Sequence, residues 1–259
     1  MTFLNGTYKS ELETIAADIY DQANHFMFER VIGPPDIPQL SLALQYLYFK
    51  QHNYSQENIQ AYCVSTILVQ MGLEIHNRVS QEEAPAFSDE NRERQMQVLA
   101  GDLYSGKFYR LLARHGAVRV IYFLSDAICH INQARANVYK LLQEVQVPLK
   151  QYLAEMERLS TSLFKAWLHN ERSTFGAKWE VLATNLLTAE SLSQEIERPS
   201  TKWPQSMLAQ MKHKMQRMVA NASHVLNEWH CADTKRELVH LIDVHFPNLA
   251  GWGRTAEEY

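Results

Sequence analysis

The sequence comprises 259 residues, which is enough for one large domain or two small ones with a substantial buried core. Hydrophobic residues account for 46% and charged residues for 21%, and this balance argues against a disordered or fibrous chain. The net charge of −4 at pH 7 disfavours strong non-specific binding to nucleic acids, and the scarcity of glycine (9) and proline (8) disfavours a turn-dense all-β fold.

The cysteines and the N-terminal residues indicate the cellular compartment of the protein. Cys63, Cys129 and Cys231 are widely spaced and include no C-x-x-C pair, which excludes a disulfide framework or a zinc ribbon and favours a reducing environment. The first residues lack the basic region and apolar run of a secretory signal, and no apolar stretch is long enough to span a bilayer. We therefore expect a cytoplasmic protein without a transmembrane segment.

Apolar residues recur at three- and four-residue steps from the start of the chain, as in an amphipathic helix. The first helix is predicted to carry this spacing through Phe26 and Met27 and to stop near 33–35, where Gly-Pro-Pro forbids its continuation. A second helix follows Pro38. A third begins at the Ser55 cap and is apolar almost all round, which predicts a central place in the domain.

Helical periodicity resumes beyond a polar, acidic loop predicted at 80–91. Six further helices are expected, at about 92–115, 118–145, 149–168, 175–196, 207–229 and 235–246. No segment alternates polar and apolar residues long enough to predict a strand. We therefore expect an all-α fold of about nine helices, forming a single domain over 1–249, with a flexible tail at 250–259.

Most familiar catalytic and metal sites are missing from this sequence. The eleven histidines never fall three or four residues apart, so no helix presents two imidazoles on one face, as an H-E-x-x-H zinc site requires. There is no G-x-S-x-G, P-loop or G-x-G-x-x-G motif. A basic cluster, Lys212, His213, Lys214 and Arg217, lies on the polar side of a Met-rich helix, and we interpret it as a solvated face rather than a phosphate or lipid-headgroup patch.

The run V-L-A-G-D-L-Y-S-G at 98–106 places two glycines and an aspartate inside a predicted helix. Glycine in a helix interior costs about 1 kcal/mol relative to alanine, so its presence there needs a reason. The sequence alone favours a packing explanation, in which Gly101 and Ser105, or Gly106, allow a neighbouring helix to approach closely.

Two segments, 66–76 and 94–109, carry a pattern known from one protein family. The first segment ends at His76. The second contains the motif residues Gly101, Asp102, Ser105, Gly106 and Tyr109. Together they resemble component I, the small non-catalytic subunit of the two-component heptaprenyl or hexaprenyl diphosphate synthases of Gram-positive bacteria. The resemblance implies an isoprenoid-synthase-like helical bundle.

The resemblance also implies where an aspartate-rich motif would lie in a catalytic relative. Catalytic trans-prenyl diphosphate synthases carry I-H-D-D-x-x-D at the end of one helix, and in that register His76 is followed here by Asn77, Arg78 and Gln81 in place of the three aspartates. A second such motif would fall near 175–193, where this chain has glutamates but no aspartate. Because these motifs hold Mg²⁺ through carboxylate oxygens, the resemblance implies that this chain has no catalytic residue and binds no metal.

By the same resemblance, the chain would pair with a catalytic large subunit that uses Mg²⁺ to join isopentenyl units onto farnesyl diphosphate. The product, heptaprenyl diphosphate or one of similar length, would provide the side chain of menaquinone. The sequence does not define the helices of the subunit interface, but the resemblance favours those near 98–112 and 117–137, and contact with the growing prenyl chain is a further option.

Two alternatives from other classes stay open. The chain could be a stand-alone all-α isoprenoid-binding enzyme with a lost or rebuilt metal site, or a helical interaction module unrelated to isoprenoids. The sequence also leaves open the product length, self-association, and whether four basic residues contact a diphosphate or face water. These residues are Arg92, Arg94, Lys107 and Arg110.

Overall fold

The computed structural model describes residues 4–80, 85, 88–168 and 174–247. Within these residues it contains ten α-helices and no strand, which confirms the predicted all-α fold. The helices are α1 (Gly6–Ala23), α2 (Phe26–Ile32), α3 (Gln39–Gln51), α4 (Gln56–Arg78), α5 (Asp89–Arg114), α6 (Val118–Leu142), α7 (Leu149–Leu168), α8 (Thr174–Glu197), α9 (Gln205–Asn227) and α10 (Ala232–His245). No helix in this part of the chain is long and apolar enough to cross a membrane.

The contacts divide the chain into two compact units, unit 1 (Met1–Tyr122) and unit 2 (Phe123–Tyr259), and the division falls within α6. The expectation of a single domain over 1–249 stays a prediction. The predicted tail at 250–259 lies outside the described residues, as does half of the predicted loop at 80–91.

The first predicted helix is in fact two helices, which raises the number from about nine to ten. The backbone of Asn24 is extended (φ −71°, ψ 137°), and this breaks the helix before α2 begins. The imidazole of His25 then caps α2 by accepting a hydrogen bond from the Met27 backbone N–H at 3.3 Å. The side chains of Phe26 and Met27, which continue the apolar spacing, are 70% and 39% exposed. α2 ends, as predicted, before Gly33, whose φ is 86°.

In unit 1, α4 packs against α1, α3 and α5, in agreement with its predicted central place. Ser55 begins α4 as predicted, because its hydroxyl accepts a hydrogen bond from the Asn58 backbone N–H at 3.3 Å. Glu11 joins α1 to α3 by accepting hydrogen bonds from the Tyr46 hydroxyl (2.8 Å) and from Lys50 Nζ (3.1 Å). Burial, together with this carboxylate, raises the pKa of the Tyr46 hydroxyl.

In unit 2, α8 packs against α7 and α9, while α10 packs against α9. Trp179 on α8 is fully buried, and its ring meets that of Trp229 edge-on at a centroid distance of 5.1 Å. Glu195 fixes the turn between α8 and α9. Its Oε1 accepts hydrogen bonds from the backbone N–H and the hydroxyl of Ser200 (2.8 Å each) and from Trp203 Nε1 (2.6 Å).

Candidate functional site

The two segments that carry the family pattern meet where α4 and α5 pack together in unit 1. A Cβ built on Gly72 of α4 would lie 3.3 Å from the Gly101 carbonyl oxygen and 3.5 Å from Ser105 Oγ of α5. The two helix backbones therefore approach closely at this point. Sequence reasoning missed Gly72, although a glycine inside the apolar, central helix was a signal that could have found it.

Gly101 also makes room for the imidazole of His76. A Cβ built on Gly101 would overlap the His76 ring, so any larger residue at 101 would displace it. In this position His76 Nε2 lies 3.5 Å from Asp102 Oδ1, with both side chains reaching solvent. The contact is an ion pair only when the imidazole is protonated.

Arg78, at the end of α4, forms an ion pair with a residue of the segment that precedes α3. Its Nη2 donates a hydrogen bond to Asp36 Oδ2 at 3.2 Å, and both side chains are exposed. The pair borders a narrow recess of about 40 Å³, which is also lined by Pro34, Pro35 and Tyr104. Because water screens exposed charges, such a pair contributes at most about 1 kcal/mol to the free energy of unfolding.

The predicted site residues in this region do not fit a magnesium site of the aspartate-rich kind. Asn77 is exposed and offers a neutral amide, and Gln81 lies outside the described residues. Arg78 is a cation that repels Mg²⁺, and it already pairs with the carboxylate of Asp36. Across the described ranges, no three His, Cys, Asp or Glu side chains are placed to hold a metal ion.

The two glutamates within 175–193 of α8, where the second aspartate-rich motif would fall, contact basic side chains of unit 2. Glu180 Oε1 lies 3.9 Å from Lys165 Nζ. Glu190 Oε1 lies 2.9 Å from His245 Nε2, and each of these side chains is less than 20% exposed. Both carboxylates therefore already have partners within the chain.

The four basic residues of α5 that the sequence left open differ in their surroundings. Arg92 is exposed and pairs at 3.2 Å with the aspartate three residues before it, and Arg94 is half-buried. Lys107 donates a hydrogen bond to the Gln22 backbone carbonyl in the last turn of α1. Burial, with the nearby charge of Arg110, lowers the pKa of Lys107. Lys107 thus joins α5 to α1, while the side chain of Arg110 faces solvent.

The other residues of the family motif lie on a solvent-exposed side of α5. Their three- and four-residue spacing places them on one face, which we call the outward face of α5. Its members are Val98, Leu99, Asp102, Ser105, Gly106 and Tyr109. Leu99 and Tyr109 are 51% and 56% exposed, and a Cβ built on Gly106 would meet no atom within 4 Å. Among the described residues, none therefore requires a glycine at 106.

Several solved structures of prenyl diphosphate synthases have a similar arrangement of helices. A decaprenyl diphosphate synthase from Rhodobacter capsulatus superposes with a TM-score of 0.69 and 11% identity, covering 93% of this chain and 96% of that one. A polyprenyl synthase from Caulobacter crescentus, complexed with calcium and isoprenyl diphosphate, has a TM-score of 0.66 and 11% identity, covering 90% of this chain and 93% of that one. Geranylgeranyl pyrophosphate synthetase from Pyrococcus horikoshii has a TM-score of 0.59 and 11% identity, covering 92% of this chain and 98% of that one. The chain therefore has the helical fold of the polyprenyl synthases.

The family model described as heptaprenyl diphosphate synthase (HEPPP synthase) subunit 1 matches residues 25–243. Because this match covers most of the chain, the protein belongs to that family. A curated relative, heptaprenyl diphosphate synthase component 1 from Geobacillus stearothermophilus, is 36% identical over 77 residues. The matched segment is 30% of this chain and spans only about a third (33%) of the relative.

Proposed function

We propose that this chain is the non-catalytic subunit of a heterodimeric long-chain trans-prenyl diphosphate synthase of the cytoplasm. Its partner is a catalytic large subunit that binds Mg²⁺ and makes heptaprenyl diphosphate from farnesyl and isopentenyl diphosphates, for the side chain of menaquinone. One observation carries the proposal: an ion pair between Arg78 and Asp36 lies where the resemblance puts the first aspartate-rich motif of a catalytic relative.

The chemistry of prenyl transfer explains why this observation matters. The reaction begins when the allylic C–O bond breaks, leaving a carbocation and a diphosphate anion whose charge has to be neutralised. Mg²⁺ neutralises such a group when carboxylate oxygens hold the metal. Here an amide and a guanidinium replace those carboxylates, and Glu180 and Glu190 of α8 are already paired. A synthase fold with such a site supports a role in assisting a catalytic partner.

The outward face of α5 supports the pairing part of the proposal. Apolar and aromatic side chains that stay exposed together are typical of protein interfaces. Leu99 and Tyr109 have this character, and Gly106 leaves room for a partner's side chain. Within unit 1, Val118 and Tyr122 of α6 are also 71% and 76% exposed. We propose that the large subunit docks on the outward face of α5 and on the first turns of α6.

The direct test is an activity assay of each subunit alone and of the mixture. The chain and the aspartate-rich prenyl synthase from the same organism are purified separately and supplied with farnesyl diphosphate, labelled isopentenyl diphosphate and Mg²⁺. We expect long-chain product only from the mixture. Robust synthesis of that product by the large subunit alone, or by this chain alone, would contradict the proposal.

A second assay separates this role from that of a stand-alone enzyme. The triple variant Asn77→Asp, Arg78→Asp, Gln81→Asp restores the carboxylates of the first motif. We expect the variant to stay inactive alone, because the second motif is still missing from α8 and the α8 glutamates have other partners. Prenyl transfer by the variant without its partner would favour the stand-alone enzyme.

A further inference from the structure

Unit 2 contains an open cleft of about 630 Å³ at the surface of α7, α8 and α9. Leu153 of α7, Asn185 of α8 and several residues of α9 line it. The polar side chains of α9 in the cleft are Gln210, His213, Lys214, Arg217 and Asn221. Their three- and four-residue spacing places them on one face of the helix. A volume of this size lies in the range of small-molecule sites, about 300–1,000 Å³.

The charge of this cleft is strongly positive for a chain whose net charge is −4. α9 has 23 residues, and they include lysines, an arginine and two histidines but no aspartate or glutamate. Among the described residues, no acidic side chain lines the cleft. In the ranges that the structure describes, neither Lys214 nor Arg217 forms an ion pair, so no partner within the described chain neutralises their charge. A concave surface with this charge attracts anions.

The cleft also has an apolar side. Leu153, Ala209 and Met218 contribute carbon atoms beside the basic residues. Asn185 is only 9% exposed, and its Nδ2 donates a hydrogen bond to the Val181 carbonyl at 2.8 Å, which fixes the amide at the wall of the cleft. The surface therefore suits a ligand with an anionic group joined to an apolar part.

The sequence alone favours a solvated face for these basic residues, and the concave surface changes that interpretation. We propose that this cleft binds a phosphate or diphosphate group, held by Arg217 and Lys214. The planar guanidinium of Arg217 can donate two parallel hydrogen bonds to phosphate oxygens, and the ammonium of Lys214 adds a point charge. His213 and Asn221 supply further donors on the same face, while Leu153 and Met218 contact the apolar part of the ligand. This site is separate from the α4–α5 contact, and the inference does not depend on the proposed function.

Two sources share this chemistry: a diphosphate free in solution and the phosphate of a lipid headgroup at a membrane surface. The full chain is titrated with inorganic pyrophosphate in a calorimeter. It is also sedimented with phosphatidylcholine vesicles that contain or lack phosphatidylglycerol. Binding of pyrophosphate without preference for the anionic vesicles supports the free anion, and binding to the anionic vesicles alone supports the lipid. Absence of binding in both experiments would overturn the proposal.

A pair of matched double variants tests whether the cleft itself is the site. Lys214→Gln with Arg217→Gln removes two charges from the cleft, whereas Lys212→Gln with Lys202→Gln removes two exposed charges that do not line it. We expect the first to weaken binding at least about tenfold and the second by less than about twofold. Arg217→Lys keeps the charge but loses the two parallel hydrogen bonds, so its affinity should fall less than that of the Lys214→Gln, Arg217→Gln double variant but below that of the wild type. An equal loss in both double variants would refute the site, because it would indicate diffuse attraction to α9.

Discussion

The inward and outward faces of α5 differ in what their residues contact. On the inward face, Ala100, Gly101 and Tyr104 are buried against neighbouring helices, and Gly101 accommodates the ring of His76. On the outward face, Val98, Leu99 and Tyr109 stay exposed to solvent, and Gly106 has open space around it among the described residues. A single family motif therefore contains residues that pack inside the chain and residues that lie on its surface.

The difference shows that two glycines in one helix can be required for different physical reasons. Each lowers helix stability by about 1 kcal/mol relative to alanine. The packing of His76 compensates this cost at Gly101 within the folded chain. Within the described part of the chain, no contact compensates this cost at Gly106, so under the proposed function the compensation comes from the partner subunit. Substitutions on the two faces should therefore change different measurable quantities.

The largest effect on stability is expected from Gly72→Leu, at the closest approach of α4 to α5. Even a Cβ at 72 would lie 3.3 Å from the Gly101 carbonyl oxygen, and a leucine would add three carbons beyond it. Overpacking of this kind costs about 1–3 kcal/mol, only partly offset by the better helix propensity of leucine. We expect a loss of about 2 kcal/mol in the free energy of unfolding, measured by denaturant titration with circular dichroism. Stability equal to that of the wild type would disprove the close approach.

The next effect is expected from Gly106→Leu on the outward face, and it concerns association instead of folding. With no atom within 4 Å of the new Cβ, the free chain should keep or gain up to about 1 kcal/mol of stability. If the large subunit docks here, the Kd of the complex between this variant and the large subunit should be at least about tenfold higher than that of the wild type. This corresponds to a loss of about 1.4 kcal/mol in binding free energy. Calorimetric titration of one subunit with the other measures this Kd.

The matched control for Gly106→Leu is Arg114→Leu, which adds an exposed leucine to α5 outside the outward face. This variant should bind the large subunit as the wild type does. Equal Kd values for wild type and Gly106→Leu would show that the large subunit does not dock on this face. An equal rise in both variants would instead indicate a non-specific effect of exposed leucine.

A smaller effect is expected from Arg78→Ala, which removes the ion pair with Asp36. Because the pair is exposed, we expect a loss of at most about 1 kcal/mol in the free energy of unfolding at low salt. The difference should shrink in 1 M salt, where the screening length falls to about 3 Å. Neither residue lies on the outward face of α5, so the Kd for the large subunit should not change. A rise comparable to that of Gly106→Leu would place the docking surface at the end of α4.

Most helix positions could be predicted from local signals in the sequence. Ser55 caps α4, and the periodicity gave α7 at 149–168, as observed. The break at Asn24 could not be predicted, because Phe26 and Met27 continue the three- and four-residue spacing. Neither Asn24 nor His25 forbids a helix, and a cap made by an imidazole is not visible in a hydrophobic pattern.

The site could be predicted only in part. The motif around Gly101 was recognisable, and its division into two faces follows from helical spacing. The partner of Arg78 was not predictable, because Asp36 is 42 residues away and lies in a connection between helices. Periodicity assigns a face to each helix, but it does not say which distant segment that face will meet. The same limit applies to the cleft beside α9, where the basic residues were visible and the concave surface was not.

The smallest expected effect concerns Tyr104, on the inward face, and appears only at alkaline pH. Burial raises the pKa of its hydroxyl above the ordinary value of about 10. The unfolded chain therefore loses this proton at lower pH than the folded chain. The contribution of the hydroxyl to the free energy of unfolding is fully present below about pH 10 and is lost as the pH rises further. Tyr104→Phe keeps the ring but removes the titrating group, so the decline above pH 10 should become shallower. It should not vanish, because burial also raises the pKa values of Tyr46 and Tyr152. Urea unfolding from pH 8 to 11 measures the slope, and parallel curves for wild type and variant would mean that the hydroxyl is not held inside the fold.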